Sequence, residues 1–181
     1  MTLLSKISRF ASITAIGLMS LSFANQTVSA QEINALAAEN GTVLKSFTSE
    51  YGGRWLATAL IDGKAELGWS SKASKGTPSE FLFELPSNYL LSYFVFDNTQ
   101  VEEEGYPGIA AKLVEVFIST QSETGPFQKV VVGDLANNSA SKASLKAPLP
   151  ARWVKLVIKS NGGHAQYTEL MEFSAYGKKL N

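Results

Sequence analysis

The chain has 181 residues, with 16 basic and 16 acidic side chains, one histidine and no cysteine. The absence of cysteine excludes disulfide bonds, thiol catalysis and thiolate metal sites, and a single histidine excludes a metal site held by two histidines of one chain. The balanced charge lacks the basic excess that nucleic-acid-binding proteins usually carry.

The first thirty residues have the pattern of an export signal. Lys6 and Arg9 make the N-terminal region positively charged, with no acidic residue nearby. Residues 11–24 follow as an apolar stretch. That stretch is too short, and too rich in Ser and Thr, to span a bilayer comfortably. Val28-Ser29-Ala30 supplies the small residues of a cleavage site, so residues 1–30 are predicted to be a signal peptide. The alternative is an N-terminal membrane anchor.

The remaining residues, 31–181, are sufficient for one domain with a substantial core. Without Lys6 and Arg9 they carry 14 basic and 16 acidic side chains, a net charge of −2. No further segment of the sequence is apolar for long enough to cross a membrane. A secreted domain without disulfides suits the periplasm or surroundings of a bacterium, where we expect this protein.

Short predicted strands, separated by turn residues, follow one another along this part. Residues 80–85 alternate with period two, which places Phe81 and Phe83 on one side. Residues 89–97 are apolar on both faces, which is typical of a central strand. Residues 32–39 could form a short helix or a loose lead-in, and residues 54–60 could include a helical turn. The predicted strands span residues 42–47, 80–85, 89–97, 111–119, 129–132, 151–159 and 167–176.

This pattern predicts an all-β protein. The sequence has no long amphipathic helix, no internal repeat and no linker that would divide it. At least seven short strands in such an arrangement indicate an antiparallel sandwich or barrel. The residues expected in its core include Trp69, Phe83, Phe94, Val116 and Leu156.

Residues 55–71 predict a buried corner around which the rest of the chain is arranged. Asp62-Gly63 follows an apolar run, so the backbone should turn there, with Gly63 at a positive φ. Trp69 is too large to be left exposed in a small domain without a reason. The alternative is an ordinary turn beside a core tryptophan.

Five motifs follow one another along the chain: residues 51–53 (YGG), 59–63 (ALIDG), 68–71 (GWSS), 151–156 (ARWVKL) and 167–177 (YTELMEFSAYG). In this order they resemble the discoidin or coagulation-factor type C domain. This family is the galactose-binding-like jelly roll, and it includes the family 32 carbohydrate-binding modules. The resemblance extends over roughly residues 36–177 and implies an antiparallel jelly-roll β-sandwich whose end loops bind a ligand, often a sugar.

The resemblance also implies a structural calcium ion. Asp62, in the Asp-Gly turn, and Glu169, near the last strand, stand at the matching ligand positions, and hard oxygen ligands suit calcium. Lys64 and Leu67 depart from the pattern of members that hold the ion, and Glu66 could substitute for a missing carboxylate. In the alternative, Glu169 simply bonds to loop amides.

The candidate ligand-binding residues are aromatic and planar polar side chains on predicted loops. Sugar recognition needs a flat apolar face for the ring and planar polar groups for the hydroxyls. Trp55 and Trp153 are expected to be packing residues and Arg152 an ion-pair partner. Glu102, Glu103 and Glu104 diverge in an extended chain and are expected to be solvated. The candidates are Tyr51, Arg54, Tyr106, His164 and Tyr167.

The sequence shows no recognisable set of catalytic residues. Carboxylate pairs, which meet only in the folded protein, can be neither identified nor excluded from sequence alone. The sequence therefore predicts a secreted, non-catalytic carbohydrate-binding module, with a glycan rather than a nucleic acid as its partner. The alternative is a protein–protein adhesion or extracellular-matrix module with no sugar ligand.

The signal peptide generates the first testable prediction. We expect exported protein to begin at Gln31, because the small residues at positions 28–30 suit a signal peptidase. N-terminal sequencing of the exported protein measures this directly. A full-length chain that is extracted only with the membrane fraction would contradict it and support the anchor.

Overall fold

The computed structural model describes residues 31–180, so the predicted signal peptide lies outside the described residues. The described part is all-β, as predicted, and none of its helices is long and apolar enough to cross a membrane. It forms two 3-10 helices, Ala38–Asn40 and Ala57–Ile61, and nine strands: β1 (Ile33–Asn34), β2 (Val43–Phe47), β3 (Trp69–Ser70), β4 (Ser79–Asp97), β5 (Leu113–Ser119), β6 (Gln128–Asp134), β7 (Ala140–Ile158), β8 (Glu169–Leu170) and β9 (Glu172–Lys179).

Two strands of 19 residues each, β4 and β7, set the architecture. They pair antiparallel from Ser79↔Ile158 to Asp97↔Ala140, with register shifts between Glu84 and Tyr89 near the middle. Before this irregular segment β4 pairs with β2, and after it β4 pairs with β9. One face of the sandwich is therefore β2–β4–β7–β5–β6 and the other is β1–β9–β4–β7, which is the predicted antiparallel jelly roll.

The core lies between these two faces and is rich in aromatic rings. Phe173 of β9 lies 5.1 Å from Phe96 and 5.9 Å from Phe83, measured between ring centroids. The first contact joins neighbouring strands of one face and the second joins the two faces, and both add to the hydrophobic stabilisation. The five core residues predicted from the sequence are confirmed, since each of these side chains has 0% exposure: Trp69, Phe83, Phe94, Val116 and Leu156.

Three segments differ from the sequence prediction. Residues 137–144 lie outside the predicted strands but include the start of β7, because pairing with the apolar second half of β4 overrides their weak local strand signal. Residues 167–176 are predicted as one strand, but the chain breaks at Met171, whose amide bonds to the Asp97 carbonyl. Residues 32–39, predicted as a short helix or a loose lead-in, form β1 and the start of a 3-10 helix, since β1 adds to the edge of β9.

The corner at Trp69 is buried, as expected. The indole Nε1 of Trp69 donates a hydrogen bond of 2.7 Å to the Ser49 carbonyl, and its ring meets Phe81 edge-on at 4.8 Å. Gly63 has a φ of +77°, which confirms the predicted turn. The corner therefore ties the segment before β3 to the first half of β4.

Replacing Trp69 tests the importance of this corner. Trp69→Ala should lower the free energy of unfolding by about 3–5 kcal/mol, because it leaves a large cavity beside Phe81. Denaturant unfolding measures the change. Val132→Ala is the control: Val132 is 65% exposed, so its effect should stay within about 0.5 kcal/mol. Similar effects for the two variants would mean that Trp69 contributes little to the core.

Candidate functional site

Three loops meet at one end of the sandwich, where β2, β4 and β7 all finish. They comprise residues 51–55, 102–109 and 161–168, and together they surround an open pocket of about 320 Å³. Its aromatic walls come from Tyr51, Trp55, Tyr106 and Tyr167. Its polar lining comes from Arg54, Ser70, Glu102, Gln166 and Glu169.

Four of the five candidate ligand-binding residues line this pocket: Tyr51, Arg54, Tyr106 and Tyr167. Tyr167 is central: Tyr51 and Tyr106 meet its ring edge-on, with centroids 5.8 and 6.2 Å away, and His164 stacks on it at 5.6 Å without itself lining the pocket. These four rings form one continuous cluster. The guanidinium of Arg54 lies 4.9 Å from the ring centre of Trp55, another residue of the pocket lining.

Two of these rings are presented to solvent. Tyr51 is 59% exposed and Tyr106 43% exposed, whereas Tyr167 is half-buried. Tyr167 and Trp55 rest on a small apolar cluster that includes Ile109. A supported ring beside two exposed rings offers flat apolar surface to a ligand without further rearrangement.

Asn161 organises the loop that carries His164 and Tyr167. Its side-chain amide donates hydrogen bonds of 2.8 Å to the carbonyls of both residues, and its Oδ1 accepts one of 2.9 Å from the Gly163 amide. Irregular backbone needs such partners when no strand is available. The sequence indicated only a turn at this position, so this role of Asn161 was missed.

The same loop determines the orientation of the His164 ring. Nδ1 accepts hydrogen bonds from the amides of Tyr167, at 3.0 Å, and Gln166, at 3.3 Å. Because a nitrogen that accepts carries no proton, we assign the proton to Nε2. Nε2 therefore remains the donor of this ring.

Glu103 stabilises the neighbouring loop, between β4 and β5. Its two carboxylate oxygens accept hydrogen bonds from the amides of Gly108, at 2.6 Å, and Ala110, at 2.9 Å. Gly108 has a φ of +80°, and a Cβ there would lie 2.9 Å from the carbonyl carbon of Gly162, so the two loops touch through their backbones. The prediction that residues 102–104 are merely solvated is wrong for Glu103, and Glu102 lines the pocket.

Glu169 lies in the lining of the pocket, with only 4% exposure. Its amide donates to the Ile109 carbonyl and its carbonyl accepts from the Ala111 amide, both at 2.8 Å. Within residues 31–180 its Oε2 has no hydrogen-bond partner.

The surroundings of Glu169 raise the pKa of its carboxyl above the ordinary value. Burial is the main cause that raises the pKa of this carboxyl, and the negative charge of Glu102 raises it further. The Glu102 amide, the Ser70 hydroxyl and the charge of Arg54 act in the opposite direction. The pocket therefore contains an under-satisfied carboxyl group that a cation or a hydrogen-bond donor would stabilise.

The predicted metal residues do not come together. In the described part of the chain, no three or more His, Cys, Asp and Glu side chains form a group that could hold a metal. Asp62 accepts a hydrogen bond from the Lys64 amide at 2.9 Å and Glu66 is exposed, while Glu169 lines the pocket. The glutamate beside the Asp62 turn is Glu172, whose Oε1 accepts from the Gly63 amide at 3.2 Å.

Glu172 is the second under-satisfied carboxyl of the fold. Burial is the main cause that raises its pKa to about 8; the Gly63 amide opposes the rise, and the charges of Asp62 and Asp97 add to it. Its Oε2 has no partner among the residues that the structure describes. The negative charges of Asp62 and Asp97 thus add to the cost of ionising Glu172.

Comparison with models of known protein families identifies the family to which this fold and these loops belong. The model of the F5/8 type C domain family matches residues 45–173, which is most of the chain. This chain belongs to that family, and the resemblance expected from its motifs is confirmed. No curated protein matches the chain.

Solved structures with the same fold include carbohydrate-binding modules. A family 32 module from NanJ of Clostridium perfringens, in complex with galactose, has a TM-score of 0.65 at 21% identity, over 81% of this chain and 99% of that one. A second C. perfringens module, in complex with GalNAc-β-1,3-galactose, has a TM-score of 0.63 at 23% identity, over 78% and 98%. The C-terminal domain of a Bacteroides fragilis chitobiase has a TM-score of 0.67 at 21% identity, over 83% and 100%. At these identities the likeness concerns the fold.

Proposed function

We propose that this protein is a non-catalytic carbohydrate-binding module that recognises a glycan at the pocket between its end loops. The observation that carries the proposal is the aromatic cluster of Tyr51, Tyr106 and Tyr167, which lines one pocket together with Arg54 and is backed by the His164 ring. Rings provide the flat apolar surface on which a sugar ring stacks, and the planar polar groups hydrogen-bond to its hydroxyls.

Two of the solved structures support this class of ligand. They contain galactose and GalNAc-β-1,3-galactose bound to modules with the same fold. The pocket is open and of modest size, which suits one or two sugar units better than a buried cofactor. A single stacked ring with a few hydrogen bonds gives weak affinity, on the order of −4 kcal/mol for a millimolar Kd.

The proposed location follows from the same function. Export through residues 1–30 would place the module in the periplasm or outside the cell, where glycans are accessible. A bacterial source agrees with the absence of cysteine in a secreted domain and with the bacterial origin of the similar structures.

A glycan array tests the proposal and identifies the ligand. The mature chain should bind sugars on the array, free sugar at millimolar concentration should displace it, and no reducing ends should be released during incubation. Tyr51→Ala, Arg54→Ala and Tyr167→Ala should each weaken binding by about tenfold, which corresponds to 1.4 kcal/mol. Tyr93→Ala is the matched control. Tyr93 stacks on Tyr176 of β9, and neither residue lines the pocket.

Three results would contradict the proposal in different ways. Binding that survives all three substitutions would move the sugar site away from these loops. Release of reducing ends would make the protein a glycosidase. Indifference to every free sugar, together with a partner protein that is captured even after deglycosylation, would establish the adhesion alternative, which uses a larger apolar surface.

We also propose a structural calcium ion beside the Asp62 turn, with Glu172 instead of Glu169 as the carboxylate from the end of the chain. The Glu172 carboxyl supports this proposal, because one of its oxygens is buried without a partner in the described chain and the carboxyl lies in the field of Asp62 and Asp97. The ion would neutralise these charges and link the turn to β9.

Melting curves test this assignment. Calcium added to EDTA-treated protein should raise the Tm, since a ligand of the native state adds RT ln(1 + [L]/Kd) to its stability. Glu172→Gln should abolish the gain and Glu169→Gln should retain it. The reverse pattern would restore Glu169 as the ligand, and the absence of any shift at millimolar calcium would leave Asp62 as a turn residue only.

A further inference from the structure

His164 contacts both loops that carry Tyr106 and Tyr167, although it does not itself line the pocket. Its ring stacks on Tyr167, with the two planes 20° apart, and meets the ring of Tyr106 edge-on, with centroids 5.9 Å apart. Its backbone amide donates a hydrogen bond of 3.1 Å to the carbonyl of Gly108, in the loop of Tyr106. His164 therefore supports two aromatic walls of the pocket from behind.

One nitrogen of the His164 ring holds it in this orientation. Nδ1 accepts hydrogen bonds from the backbone amides of Tyr167, at 3.0 Å, and Gln166, at 3.3 Å. A neutral imidazole accepts at one nitrogen, whereas an imidazolium carries a proton on both and accepts at neither. Protonation therefore turns two hydrogen bonds into an approach of N–H groups towards one another and leaves two amides without this partner.

The surroundings of His164 provide no carboxylate partner that would compensate a protonated ring. The titratable side chains that face it are Tyr106, from the loop between β4 and β5, and Tyr167, from its own loop. Within residues 31–180 no ion pair joins it to a carboxylate. The carboxylate of Glu103, in the loop of Tyr106, accepts hydrogen bonds from two backbone amides of that loop. The charged side chains of the pocket lining are Arg54, Glu102 and Glu169.

We propose that His164 is a positioning residue whose neutral ring holds Tyr106 and Tyr167 in place, and that its protonation weakens glycan binding at acidic pH. This dependence rests on the function proposed above, since glycan affinity is the property that the loops would control. Once protonated, the ring has to turn away from the two amides, and it then leaves the face of Tyr167. A tyrosine face attracts a cation, but it supplies no acceptor for the amides.

Proton NMR tests the positioning role without any sugar. The chain contains a single histidine, so the imidazole signals of the protein belong to His164. A titration from about pH 7.5 to about pH 5 spans the range in which histidines take up a proton. The ring signals of Tyr106 and Tyr167, assigned from their Tyr→Phe variants, should shift with the same midpoint as those of His164. In His164→Asn they should stay constant.

The glycan array, run at the same two pH values, tests the effect on binding. The array glycans are the probes, and the apparent Kd is measured for the glycan with the strongest signal at about pH 7.5. The wild-type affinity should fall by about tenfold at the lower pH, which corresponds to 1.4 kcal/mol.

Two variants of the same residue assign the pH dependence. Asparagine keeps an acceptor close to the position of Nδ1 but takes up no proton, so His164→Asn should bring the ratio of the two affinities close to one. His164→Phe keeps a ring without an acceptor, and it should bind weakly at both pH values. Glu169 also titrates in the pocket, and its contribution is the ratio that remains in His164→Asn. Melting curves establish that each variant is folded; if His164→Asn is not, the NMR titration of the wild-type chain decides.

The outcomes separate this inference from the proposed function. Tyrosine signals that stay constant while His164 takes up its proton would overturn the positioning role. Equal wild-type affinities at the two pH values, or an unchanged ratio in folded His164→Asn, would overturn the pH dependence, while sugar binding would stand. An array without any bound glycan at either pH would overturn the proposed function, and the NMR titration would still decide the role of His164.

Discussion

The pairing of β4 with β7 is the constraint on which the rest of the structure depends. Both strands pass from one face of the sandwich to the other near their middle, so their two halves lie in different faces. A strand that is folded over in this way has both of its ends at the same end of the sandwich. The chain must therefore cross that end after Asp97 and again after Ile158, and these crossings form the loops of the pocket. The position of the site follows from strand length and register before any ligand is considered.

Irregular loops are stable only when their backbone groups have partners, and here a few short polar side chains supply them. Asn161 holds one loop and Glu103 the next, while the Ser71 hydroxyl accepts from the Thr168 amide at 3.1 Å. These groups point into the loops, which leaves the aromatic faces of Tyr51 and Tyr106 directed to solvent. The proposed ligand surface is thus preorganised by residues that do not themselves need to touch a ligand.

The strands, the core and the corner were predictable from the sequence because alternation and large apolar side chains report burial directly. The aromatic candidates were placed by residue type on turns together with the family resemblance, and the structure brings them together. From the sequence alone, Glu169 and Glu172 could not be distinguished as the neighbour of the Asp62 turn. They are three residues apart, so in an extended chain their side chains face opposite sides. Only one of them can therefore meet that turn. Sequence does not show which side faces the turn, because the break at Met171 is set by a long-range bond to Asp97.

Glu169 and Glu172 share one physical property, a buried carboxyl oxygen that lacks a partner in the described chain, yet their surroundings differ. Around Glu172 the neighbouring charges are the carboxylates of Asp62 and Asp97. Around Glu169 the pocket walls include the rings of Tyr51, Tyr106 and Tyr167. Because both glutamates have a buried carboxyl, that feature alone does not mark the proposed sugar site. The aromatic rings, which supply flat apolar surface, distinguish the pocket at the end loops.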